Sequence, residues 1–290
     1  MAKTKWILLF ATFVSSCLSL ATLIVAFCTP NWVVSEATEP LAQANSEVQY
    51  GLFSGSLTRY FLVTPVYYDL TVICLYEHNV CVYSCQTDEA KREKEVHDLM
   101  TGSKPDICPI ATSRIIKLHS TAKDSIQGFD ASTEGEDKSV ESTDEFINAG
   151  LWLATVIFLG IATAFSGTSA SFSIINVLFN PVEPIFSVFG LYIWNGIAIG
   201  ATLLTMILWG ALFEDSITTN ISITDTLTSE APYSSEGLAS LGYSYWILFM
   251  PLVFHGGNIG LLLWRQYEIN KEPPETTIDV DKSDLTVIMY

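Results

Sequence analysis

The chain has 290 residues, 49% hydrophobic and only 16% charged, with a mean hydropathy of +0.36. Soluble domains carry about 25% charged residues, so there is too little charge to cover a water-facing surface. The apolar content excludes disorder of the whole chain, and six cysteines in this length exclude a disulfide-dense mini-protein. With 14 basic and 31 acidic residues the net charge is −17, which argues against nucleic acid as a partner.

Four segments meet the length of about 20 apolar residues that a membrane helix needs: 6–28, 147–172, 188–213 and 243–264. None carries a charged side chain in its interior, where ionised groups are costly. The first is preceded by Lys3 and Lys5, as a signal peptide would be. Its apolar stretch exceeds the usual 7–15 residues, so it is expected to remain as an anchor. Basic residues flank the outer sides of this set, with Lys3 and Lys5 before the first span and Arg265 and Lys271 after the last. Residues 29–48 and 214–242 hold no Lys or Arg. The positive-inside rule therefore predicts a cytoplasmic N-terminus (1–5), inner loop (173–187) and tail (265–290), with extracellular loops at 29–146 and 214–242. The first extracellular loop carries 9 basic and 19 acidic residues and the second carries 5 acids and no base. That pattern reads as an acidic solvated surface, without the spacing of a calcium loop.

Within the long loop, residues 47–85 are rich in β-branched and aromatic types, as in VYYDLTVICLYEHNVCVYSC. This predicts strands with a hairpin near Glu77–Asn79. Residues 86–145 are polar and read as a flexible insertion, with a short charged helix over 88–100. Cys74, Cys81, Cys85 and Cys108 lie in this oxidising compartment and predict two disulfides with three possible connectivities. Cys74 with Cys81 would face each other across a two-residue hairpin loop, and Cys74 with Cys85 competes. Asn220-Ile221-Ser222 is a glycosylation sequon.

Nothing in the sequence calls for catalysis, a metal or a cofactor. His78, His97 and His119 stand apart from any nucleophile constellation, and no phosphate loop, HExxH or nucleotide fingerprint occurs. The polar residues inside the spans are more informative. Asn195 lies about 10 Å and Asn258 about 9 Å from the cytoplasmic ends of their helices, so the two amides are at similar depth and able to bond across the helices. His255 precedes Asn258 by one turn. Gly196-x-x-x-Gly200 and Gly256-x-x-x-Gly260 are spacings that permit close helix approach, and structural packing is favoured over an ion path.

Trp32, Gly51-Leu52-Phe53 and the paired cysteines resemble the W…GLW…C…C pattern of the claudin superfamily. The chain is more similar to the clarin family. Ala37-Thr38-Glu39-Pro40 with Val48 to Gly55 resembles "NATEP…IQYGLFHG", Asn176 to Glu183 resembles "NAFGKPFE", and Ile288-Met289-Tyr290 resembles "LMY". Two departures stand out: Glu36 occupies the position of the family's sequon asparagine, and 86–145 has no counterpart. The resemblance implies a membrane all-α four-helix transmembrane bundle with a disulfide-braced, claudin-like extracellular β domain. It implies a plasma-membrane organiser, scaffold or adhesion component of sensory cells. The alternatives are an auxiliary subunit of an ion channel or a claudin-type junction protein. Partners are expected on both sides: an extracellular or channel partner, and a cytoplasmic PDZ-domain scaffold. The latter would be read through Ile288, Met289 and Tyr290 by strand addition and carboxylate capture.

Overall fold

The computed structural model describes residues 2–38, 45–61, 64–101, 146–179, 187–218, 223 and 237–271. Its four long helices are α1 (Ala2–Cys28), α3 (Ala149–Leu178), α4 (Val188–Leu212, prolonged by a π-helical turn, Phe213–Ile217) and α6 (Phe249–Asn270). A short helix α5 (Tyr243–Trp246) leads into α6, and α2 (Glu89–Met100) lies in the first loop. All four long helices are long and apolar enough to cross a membrane. The second extends to Leu178 where the sequence predicts an end at 172, the third to Ile217 rather than 213, and the fourth to Asn270 rather than 264. At the third and fourth spans helical hydrogen bonding continues past the apolar run into the polar flanks EDSI and RQYEIN.

The bundle is inside-out relative to a soluble one. α1 and α4 each pack against both α3 and α6. Much of the inner face is small or hydroxylated, with Thr12, Ser16, Ser19 and Ala26 on α1 and Thr155, Ala162, Ser166 and Ser169 on α3, interleaved with buried Leu9, Leu23 and Leu159. Large apolar residues such as Phe10, Leu18, Ile157, Ile197, Ile207 and Val253 face outward. Small residues let backbones approach in lipid, where burying hydrocarbon gives no drive to associate. Aromatic belts bound the apolar zone, with Trp6, Trp264 and Tyr267 exposed at one end and Tyr243 and Trp246 at the other.

A seven-stranded antiparallel sheet sits on the second of these ends. Its strands are β1 (Val33–Thr38), β2 (Asn45–Tyr50), β3 (Ser54–Phe61), β4 (Thr64–Leu75), β5 (Val80–Ser84), β6 (Ile147–Asn148) and β7 (Ala239–Leu241), in the order β6-β5-β4-β3-β2-β1-β7. The strand region thus starts at Val33, not 47, and draws one strand from the second loop. β5 is buried on both sides, which accounts for its unbroken apolar run. One face of the sheet joins the bundle core through Val48, Tyr50, Leu57, Leu70 and Tyr83, while the other holds Val80, Val82, Val96, Leu99 and Phe146.

That second cluster includes residues of the charged helix expected over 88–100. Residues 89–100 form α2, whose first turn is capped by Asp88 accepting from Ala90 N (2.9 Å). α2 is held down by Val96 and Leu99, and by the buried Glu95 carboxylate accepting from the Ser84 hydroxyl. Residues 102–145 lie outside the described set.

Candidate functional site

The polar residues inside the spans converge on one knot to which all four helices contribute. Asn195 on α4 is its hub. Its Nδ2 donates to the Leu191 carbonyl (2.7 Å) and to Ser169 Oγ on α3 (2.9 Å). A backbone carbonyl can only accept, so this bond fixes which way the amide faces. Oδ1 therefore accepts from Asn258 Nδ2 (3.0 Å) and meets His255 Nδ1 at 2.7 Å. An amide oxygen carries no proton, so Nδ1 holds one. In the neutral ring Nε2 is then the acceptor, and the Ser19 hydroxyl of α1 donates to it at 2.7 Å. Asn258 Nδ2 also donates to Ser16 Oγ (2.9 Å), which lies 3.2 Å from Ser169 Oγ. Ser16, Ser19, Ser169, Asn195, His255 and Asn258 are all essentially inaccessible to solvent. Asn258 Oδ1 has no partner among the described residues.

The serines of this knot went unread in the sequence. A hydropathy scan passes over a hydroxyl, yet Ser16 and Ser19, like Ser166 and Ser169, are three apart and share a helix face. The glycines are placed differently from the expectation. Gly196, Gly200, Gly256 and Gly260 face out of the bundle, and a Cβ at any of them would meet nothing within 4 Å. The spacing marks a small-residue face, but the inward face of each helix is the one bearing Asn195 or His255 and Asn258. Within the bundle these glycines do not pack against a neighbour.

A second cluster fixes the sheet to the bundle, and it contains Trp32, Gly51, Leu52 and Phe53. Trp32 is fully buried, donates Nε1–H to Ala26 O (2.8 Å) and meets Trp209 edge-on at 5.1 Å. At Gly51 a Cβ would lie 2.5 Å from the Thr29 carbonyl oxygen and 2.8 Å from Pro30 Cα, so only glycine fits. The carbonyls of Gly51 and Leu52 accept from the Tyr83 hydroxyl (2.5 Å) and from Trp152 Nε1 (2.9 Å). Phe53 packs between Phe27 (5.3 Å) and Trp152 (6.1 Å). Tyr83 meets Tyr50 at 4.1 Å, with the ring planes tilted by 32°. Burial raises the pKa of both phenols, with the neighbouring Tyr83 adding to the rise at Tyr50.

Cys74 and Cys81 form a disulfide between directly paired residues of β4 and β5. The intervening turn is Tyr76–Asn79, four residues rather than the two expected. Asn79 takes the left-handed conformation (φ 56°) and its side chain accepts from Gly150 N (2.9 Å), so the hairpin tip caps the start of α3. Cys85 is also disulfide-bonded. Cys17 and Cys28 are free. Cys108, Asn220, Ile288, Met289 and Tyr290 lie outside the described residues. The His78 and His97 rings meet edge-on at 6.0 Å on the exposed hairpin and α2. No group of three potential metal ligands occurs among the described residues.

Fold and site together define a multi-pass membrane protein: four apolar helices tied by an internal hydrogen-bond knot, carrying a disulfide-braced antiparallel sheet at one end. No protein-family model matches the chain, and no curated protein matches it in sequence.

Proposed function

We propose that the chain is a clarin-like tetraspan organiser of the plasma membrane, with both termini cytoplasmic. In this reading the sheet is an extracellular platform for a protein partner, and the segment beyond α6 contacts cytoplasmic proteins. The observation that carries the reading is the rigid attachment of the sheet. Its strands come from both outer loops and from the entry to α3, and the Trp32, Gly51–Phe53, Tyr83 and Trp152 cluster locks it to the helix ends. A platform held this way transmits position rather than performing chemistry. The polar groups of the bundle are engaged largely with each other, which favours a packing role over an ion path.

The outward surface of β3 and β4 exposes Tyr60 and Tyr67 on neighbouring strands. Such amphipathic aromatics anchor interfaces. The test is purification of the full chain from native membrane after cross-linking. Adhesion or cytoskeletal proteins, lost on Tyr60→Ser/Tyr67→Ser with folding intact, are the expected result. A pore-forming channel subunit in fixed ratio would overturn the organiser reading. That second reading is favoured by one feature, the outward glycines of α4 and α6, which leave room for a foreign helix.

A further inference from the structure

Among the described residues, the end of the bundle away from the sheet carries Arg265 and Lys271, neither of them in an ion pair. Arg265, in the last part of α6, makes no hydrogen bond or ion pair among the described residues, and its Nε is shut off from solvent. Its electrostatic neighbour is the Tyr192 hydroxyl at the start of α4, a neutral group. Lys271 follows at the end of the helix, its ammonium 5.5 Å from the centre of the Tyr267 ring. α1 runs antiparallel to α6, with Ser16 meeting Asn258 and Ser19 meeting His255. The same register carried back to the start of α1 sets the backbones of Lys3 and Lys5 level with residues 271 and 269. Glu268 is the carboxylate on the described part of this end, and it pairs with neither cation.

We propose that this corner binds the headgroup phosphate of an anionic phospholipid in the leaflet away from the sheet. A planar guanidinium with free donors matches phosphate oxygens two at a time, and a lysine adds a point charge. Depth agrees with chemistry. Trp264 and Tyr267 are more than half exposed on the same turns, and such amphipathic rings settle at headgroup level. A partly enclosed guanidinium lacking an acceptor is costly, and a lipid phosphate supplies the missing one while its chains stay in the bilayer.

The experiment is native mass spectrometry of the full chain released from nanodiscs of phosphatidylcholine and phosphatidylserine. The wild type retains phosphatidylserine above its bulk share. Arg265→Gln lowers that preference about fivefold, the equivalent of about 1 kcal/mol for one basic residue at a membrane surface, and adding Lys271→Gln lowers it further. Arg265→Lys keeps part of it. Lys91→Gln/Lys94→Gln, an equal charge change on α2, leaves it unaltered and controls for net charge. Thermal unfolding in neutral detergent identifies any variant that fails to fold, and in that case the Arg265→Lys comparison decides. Retained lipid at the bulk ratio, or a preference indifferent to Arg265 and Lys271, overturns the proposal. So does displacement of the lipid by inorganic phosphate, which would make the corner a plain anion site.

Discussion

Replacing Asn195 by Leu keeps the branching and number of side-chain heavy atoms at the hub and removes its hydrogen bonds. The amide has three side-chain partners in the knot, Ser169, His255 and Asn258. An intramembrane hydrogen bond averages about 0.6 kcal/mol and reaches about 1.7, so the three contribute about 2 kcal/mol. His255 keeps its bond to Ser19 but is left with a buried N–H and no acceptor, which adds about 1–3 kcal/mol. The expected loss is therefore about 3–5 kcal/mol, read as reversible unfolding in micelles and as a lower level of folded protein in the membrane. A double-mutant cycle with His255→Phe sharpens the test. The two share one hydrogen bond, and the stranded N–H is absent from the double variant, so it should cost less than the sum of the singles by at least about 0.6–1.7 kcal/mol. A Leu variant within about 0.5 kcal/mol of wild type, or a cycle that adds up, would refute the hub.

Gly51→Ala should destabilise strongly, because backbone atoms of Thr29 and Pro30 occupy the space, whereas Gly200→Ala should be neutral or gain up to about 1 kcal/mol of helix propensity. Unfolding curves that rank the two the other way would show that the faces are misassigned. Cys74→Ser opens the Cys74–Cys81 loop and should cost about 2.5 kcal/mol by loop entropy. Alkylation without reduction should label Cys17 and Cys28 and spare Cys74, Cys81 and Cys85, and labelled Cys74 in the folded chain would disprove the bridge. Burial raises the Tyr50 and Tyr83 pKa above the ordinary 10.0. Their contribution is complete below that pH and is lost as pH rises through it towards the folded values. Tyrosinate absorbance should show these two phenols silent until the sheet detaches in alkali. Reversible titration of every tyrosine with the fold intact would contradict their burial.

The four spans were legible because lipid imposes one simple requirement, a long run without charge. Their ends were not, since helical bonding outlasts the apolar run at Ile217 and Asn270. The Cys74–Cys81 hairpin was legible in its β-branched and aromatic run around a polar turn. The strands VVSEAT and ASL were not, because each is short and finds its partner through distant pairing rather than through local preference. α2 was legible as a charged helix, but its burial was not, because Val96 and Leu99 acquire meaning only beside Val80 and Val82. Helical spacing identified Asn195 and Asn258 as being at one depth. It could not tell which face of the same helix was inward, so the glycine faces were read on the wrong side. The serines gave a signal at three-residue spacing that a count of charges cannot detect.

The pairing of β1 with β7 has a consequence for biosynthesis. Val33 bonds to Leu241, so one edge of β1 lacks its neighbour until almost the whole chain has left the ribosome. At about 5–20 residues per second, that interval is on the order of ten to forty seconds. An uncovered strand edge invites foreign pairing, and the Ser16–Ser19 face of α1 meanwhile has no His255 or Asn258 to answer it. Nascent chains interrupted anywhere before residue 239 would therefore share two lesions, one at the sheet and one in the bundle. A membrane chaperone or a degradation factor that reads either lesion would distinguish finished from unfinished molecules without contacting the last helix itself.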